Sequence, residues 1–118
     1  DIGQKEFIPI GELPAKIGSE LCAMQKDLLE KARAFRDANT TEVATYDEFK
    51  SKIEGGGFFV ASWCGNPDLE KKIKEETKAT IRCIQLDSDF ESLKTDKPCF
   101  MTGEKSEKNI RVIFARAY

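Results

Sequence analysis

GGGFFVASWCGNPDLEKKIKEETKATIRCIQLD, residues 55–87, decides the architecture of this chain. Phe58, Phe59, Val60, Ala61 and Trp63 form a nearly continuous apolar run, the pattern of a strand covered on both faces. The glycines at 55, 56 and 57 are a breaker cluster in front of it. Behind it, Asn66 suits a helix N-cap and Pro67 a first turn, where a missing N–H costs nothing. Leu69 and Ile73, four apart, give that helix an apolar edge, and Glu70 and Lys74 fit its outside. Residues 80–86 return as a strand. Two strands joined by a helix of this length are expected to run parallel, with a right-handed crossover.

Downstream, residues 87–98 read as a loop anchored by Phe90 and Leu93. Cys99, Phe100 and Met101 read as a short strand, and residues 102–109 as a lysine-rich turn. Residues 110–117 alternate. Ile110, Val112 and Phe114 mark one face; Arg111, Ile113, Ala115 and Ala117 mark the other. Upstream, Thr45 and Glu48 make a capping box for a short helix to Ile53, with Tyr46 and Phe49 on its apolar side. The triplet Asn39, Thr40, Thr41 breaks an earlier, longer helix opened by Pro14. Ile17, Leu21, Met24, Leu28, Ala32 and Phe35 form its apolar stripe. Before it, EFIPI (residues 6–10) alternates like an edge strand, with no strand near it in sequence to pair with. From Thr45 onward the order is α-β-α-β-loop-β-β. This predicts an α+β two-layer sandwich, with a mixed sheet containing a parallel β-α-β unit and a terminal hairpin, preceded by a long linker helix. With fewer than about eighty residues, such a body is expected to lean on a neighbour.

The chain has 118 residues, 34% of them charged, and a net charge of −2, which excludes a globally basic nucleic-acid surface. No run approaches a membrane span, and DIGQKEF is not a signal peptide. Since residue 1 is Asp, the chain is expected to be a piece of a longer, cytoplasmic protein. There is no histidine. Cys22, Cys64, Cys83 and Cys99 include no C-x-x-C pair and read as reduced thiols. No nucleophile–base pair, P-loop or dinucleotide fingerprint is present, and the acidic clusters lack a calcium loop's spacing. No catalytic or cofactor-binding residue is therefore expected here. A strand, then Trp63-Cys64-Gly65, then a helix N-terminus resembles a thioredoxin active site. Pro67, however, stands where the second cysteine would be, so internal resolution of a mixed disulfide is not expected.

A second resemblance covers nearly the whole chain. Trp63-Cys64-Gly65, KIKEETKATIRCI (residues 72–84), Cys99 before Thr102-Gly103, and the closing FARAY (residues 114–118) resemble the C-terminal domain of prolyl-tRNA synthetase. The branch it resembles is the archaeal/eukaryote-like one, which some bacteria also have. KDLLEKARAFRDANT (residues 26–40) is similar to that family's connecting helix, and TYDEFK (residues 45–50) to the start of its final domain. The resemblance implies residues 1–11 as the end of an anticodon-binding domain, 12–40 as the linker helix and 41–118 as the final domain. That domain has a fold similar to the C-terminal domain of translation initiation factor three. It also implies a whole enzyme that ligates proline to its tRNA with ATP and magnesium. Its expected form is a cytoplasmic homodimer without membrane contact, this piece being a non-catalytic appendage on the catalytic and anticodon-binding domains. Many members hold a structural zinc through four cysteines. Here the four positions read Cys64, Leu69, Cys99 and Thr102, so the resemblance implies a lost zinc site. It further implies that Tyr118 turns back toward the catalytic domain. Two alternatives stay open: a single-cysteine redox module, and a tRNA-binding module built on Lys71, Lys72, Lys74 and Lys78. Against the latter, neighbouring glutamates make a solvated helix face the simpler reading.

Overall fold

The computed structural model describes residues 5–84 and 94–116. The chain divides into two compact units, Asp1–Ala38 and Asn39–Tyr118. In the first, a single 3-10 turn (Ile10–Glu12) leads into helix α1 (Leu13–Ala38). Lys16 bridges Glu6 at 3.3 Å and Glu20 at 3.1 Å, fastening the leading segment to the first turns. The apolar stripe is present, yet no residue of α1 is buried. The edge strand expected at residues 6–10 does not form. Phe7 is 99% exposed, and without a neighbouring strand an alternating pentapeptide gains nothing from extension.

The second unit contains β1 (Thr40–Glu42), α2 (Tyr46–Ile53), β2 (Phe58–Trp63), α3 (Pro67–Thr77), β3 (Ala79–Ile84) and β4 (Ile110–Arg116). The sheet order is β1-β2-β4-β3. β1 and β2 are parallel, and β4 is antiparallel to both β2 and β3. A mixed sheet with a parallel β-α-β unit is what forms, but the adjacent parallel pair is β1-α2-β2. β2 and β3 share a direction as expected, with β4 inserted between them. The expected terminal hairpin is corrected too. Residues 99–101 form a turn rather than a strand, and among the described residues the segment before them meets β4 at a single Lys94–Ile110 bridge. β4 finds longer partners in β2 and β3, and those ladders leave it no free edge.

The local signals explain the helices. Thr45 Oγ1 accepts the Glu48 N–H at 3.3 Å, and the Glu48 carboxylate accepts the Ala44 N–H at 3.1 Å, one residue earlier than the usual capping box. Asn66 Oδ1 accepts the N–H of Asp68 at 2.9 Å and of Leu69 at 3.4 Å, with Pro67 opening α3. Gly57 is required where it stands. Its φ is 99°, and a Cβ there would lie 2.8 Å from the Asn39 carbonyl oxygen, which also accepts the Phe58 N–H.

Phe59, Ala61 and Trp63 of β2 and Val112 and Phe114 of β4 pack with Phe49 and Ile53 of α2 and Ile73 of α3 in one core. Phe49 lies 5.6 Å from the Phe59 and Phe114 rings and 5.5 Å from Phe100, all nearer edge-on than stacked. β1 lasts only three residues. Beyond it the Phe100 N–H donates to the Ser62 carbonyl at 2.9 Å, so the loop before β4 takes over that edge of β2.

Candidate functional site

The C-terminal end of β2 and this loop meet at two cysteines. Strand β2 delivers Cys64 directly after buried Trp63; Gly65, at φ 80°, then turns the chain toward the Asn66 cap. On the loop, the Cys99 N–H donates to the Glu104 carbonyl at 2.9 Å, and the Gly103 N–H donates to the Cys99 carbonyl at 2.8 Å. Gly103 has φ 74°, which closes this turn. The Ser62 hydroxyl donates to the Lys97 carbonyl at 2.9 Å, pinning the loop to β2. As a result Cys64 and Cys99 lie close enough for each thiol to shift the other.

Their environments differ. Burial pushes the Cys64 thiol up, the Asn66 N–H opposes this, and Cys99 beside it pushes it further up. Burial would raise Cys99 as well, but the N–H groups of Thr102 and Met101, the Cys64 thiol and the Thr102 hydroxyl outweigh it and hold Cys99 below its ordinary value.

The residues at the four positions implied for zinc are unequal. Cys64 and Cys99 supply two sulfurs, while the Thr102 hydroxyl accepts the Glu104 N–H at 3.2 Å. Leu69, half-buried, packs against the core and has no donor atom. Among the described residues no group of three or more His, Cys, Asp or Glu could hold a metal ion. Two sulfurs do not make the four-ligand set a structural zinc requires. Position 67 is a proline at the start of α3 and supplies no thiol; Cys99 is the cysteine whose thiol affects that of Cys64. Cys22 and Cys83 are exposed thiols.

A residue not singled out from the sequence organises this corner. Asn109 is fully buried, and its side-chain amide donates to the carbonyls of Lys97 at 3.2 Å and Glu104 at 3.0 Å, on both sides of the Cys99 turn. Its Oδ1 has no partner among the described residues. The only sequence signal is an asparagine at the mouth of a strand. An open cleft of about 360 Å³ nearby is lined by Glu42, Val43, Ala44, Glu48, Ser62, Lys97 and Pro98. Its charged groups are already engaged, Lys97 with Glu42 and Glu48 with Lys52. Lys71, Lys72, Lys74 and Lys78 are all exposed, with Lys72 3.9 Å from Glu76 and Lys78 Nζ 3.2 Å from the Glu75 carbonyl. Tyr118 lies outside the described residues.

The family profile described as "Prolyl-tRNA synthetase, C-terminal" matches residues 46–118. A Proline--tRNA ligase of Bacteroides fragilis is 46% identical over 118 residues, covering 100% of this chain and 23% of its own length. The Proline--tRNA ligase of Phocaeicola vulgatus is 50% identical over 95 residues, covering 80% of this chain and 18% of its own. The crystal structure of prolyl-tRNA synthetase from Cryptosporidium parvum, complexed with halofuginone and AMPPNP, superposes with a TM-score of 0.81 at 28% identity. That match covers 100% of this chain and 25% of the other. The chain thus spans about a quarter of the length of such relatives.

Proposed function

The chain belongs to the prolyl-tRNA synthetase C-terminal family, and on that premise we propose that it is the non-catalytic end of a class II proline–tRNA ligase. The observation that carries this is the end-to-end match, 46% identical over all 118 residues, to a protein more than four times as long. In this reading, the whole protein activates proline with ATP and magnesium, charges its tRNA, and works as a cytoplasmic homodimer. It belongs to the archaeal/eukaryote-like branch; a eukaryotic enzyme that covers this chain completely supports that placement. Residues 1–11 end the anticodon-binding domain, 12–40 form the linker helix, and 41–118 are the final domain. The exposed stripe of α1, with Leu21 57% and Leu28 61% exposed, is the surface offered to the catalytic and anticodon-binding domains of the full-length protein. The final domain folds without zinc, because Leu69 and Thr102 leave the cysteines two ligands short. Tyr118 and its carboxylate reach back to the catalytic body.

The test is proline-dependent exchange of pyrophosphate into ATP. The full-length protein is expected to catalyse it and the 118-residue chain alone is not; activity in the short chain would overturn the appendage reading. Deleting residues 117–118 is expected to slow the full-length enzyme without lowering the short chain's melting point. A lowered melting point with unchanged activity would instead make Tyr118 part of the local core. Binding of tRNA by the short chain is expected to be weak and salt-sensitive at a net charge of −2.

A further inference from the structure

We propose that the face of the sheet opposite α2 and α3, centred on Phe58 and Ile113, is a second docking surface, on which the preceding part of the full-length protein packs. This deepens the appendage reading and rests on it for the identity of the occupant. Strand pairing fixes which side chains share the face. Across β2 and β4, Phe58 stands opposite Ala115 and Val60 opposite Ile113; Thr80 of β3 also stands opposite Ala115. Their chain neighbours Phe59, Ala61, Val112 and Phe114 point the other way, into the core with Phe49, Ile53 and Ile73. Both helices of the second unit therefore pack on one side of the sheet.

A sheet face that meets water carries polar side chains, whereas strands covered on both sides are apolar throughout. Phe58, Val60, Ile113 and Ala115 follow the second pattern. Val60 and Ala115 are buried, but Ile113 is half-buried and Phe58 is 40% exposed. Further along the same face the pattern turns polar. Ser62 pairs with Arg111, and there the Ser62 hydroxyl holds the Lys97 carbonyl. Glu42, in register with Val60, is also charged. An apolar centre with a charged rim is the anatomy of an interface. The occupant follows from the length of chain outside these residues. A relative matched over all 118 residues is covered to only 23% of its length, so more than three-quarters of it lies outside the match. On the proposed reading, that remainder is the catalytic and anticodon-binding domains preceding residue 1. Since they are tethered to this sheet, their high effective concentration lets a small patch suffice.

The experiment places a reporter thiol, Phe58→Cys, in the full-length protein and in the 118-residue chain. Alkylation of the peptide that carries it is followed by mass spectrometry. The thiol is expected to react more than about tenfold more slowly in the full-length protein, where labelling must wait for the interface to open. Lys71→Cys, on the exposed side of α3, is expected to react equally in both. Equal rates at position 58 would overturn the proposal: if both are fast the face is open, and if both are slow the 118 residues cover it themselves. Protection at position 71 in place of 58 would overturn it too. So would protection that fades as the full-length protein is diluted, which would assign the face to a second copy. Folding is checked by circular dichroism melts, and Thr80→Cys is the second reporter on this face where Phe58→Cys fails to fold. Proline-dependent pyrophosphate exchange is measured on the same full-length samples. Protection without exchange would uphold the interface and remove the ligase reading, whereas exchange without protection would remove the interface alone.

Discussion

Helices α1 and α3 are built from similar residues and meet opposite fates. α1 has 26 residues and a stripe of Ile17, Leu21, Met24 and Leu28, yet buries none of them. α3 has 11 residues and only Leu69 and Ile73 on its apolar edge, yet Ile73 is fully buried. An apolar stripe records what a helix offers; burial depends on a surface to receive it. For α3 that surface is a sheet face bearing Trp63, Val112 and Phe114 within the same eighty residues. The number of apolar positions therefore ranks these two helices in the wrong order for stability of this chain.

The widest gap between the two regions should appear on truncation. Phe114→Ala removes the ring that touches Phe49, Trp63 and Phe100, and is expected to cost about 3–5 kcal/mol in urea unfolding of the chain. Leu28→Ala, at a half-exposed position of α1, is expected to cost less than about 0.5 kcal/mol. Comparable costs would break the contrast and show the stripe of α1 already packed in solution. Next, Asn109→Ala deletes the clamp across the Cys99 turn and is expected to cost about 1–3 kcal/mol. Asn109→Asp should cost more, with the excess growing as pH rises and a carboxylate faces two carbonyl oxygens. An excess that stays flat with pH would mean that the side chain has swung out to water.

Smaller effects sharpen the helix comparison. Thr45→Ala removes the cap of α2, which feeds Phe49 and Ile53 into the core, and is expected to cost about 1 kcal/mol. If the cap merely decorated a surface helix, the melting point would not move. Smallest is the acid limb. The hydrogen bond from Lys97 holds the Glu42 carboxyl below the usual carboxylate range; partial burial opposes it, and the Lys97 and Arg111 charges reinforce it. A folded pKa below the unfolded one gives stability that is full above the unfolded value and is lost as pH falls through the folded one. With Glu42 half-exposed, Glu42→Gln is expected to flatten the stability profile below neutral pH by less than about 0.5 kcal/mol. A steeper acid limb in the variant would reverse the sign and refute the pairing.

Much of the compact unit was legible because its signals are short-range. A Thr-x-x-Glu box, an Asn-Pro start and a period-two strand each act within one turn or one pleat, and α2, α3 and β4 lie where those patterns put them. β1 was not legible: Thr40, Thr41 and Glu42 carry no apolar pattern, and become a strand only because the edge of β2 hydrogen-bonds them. The Cys99 turn was misread as a strand because a short apolar triplet fits either, and contact with β2 and Asn109 decides between them. At the candidate site, Cys64 and Cys99 stood out by their chemistry, but the docking of the Cys99 loop on β2 and the Asn109 clamp did not.

Read without coordinates, the residues already say where α2 and α3 start, which face of β4 is apolar, that histidine chemistry is absent, and which family the chain belongs to. Only the three-dimensional arrangement settles that β4 lies between β2 and β3 and that the loop carrying Cys99 docks on the end of β2 beside Cys64. The reason is range. Caps and periodicity are settled by atoms a few residues apart. Strand order and loop docking are settled by which distant segments win the hydrogen bonds and the buried area at β2, and no local pattern records that outcome.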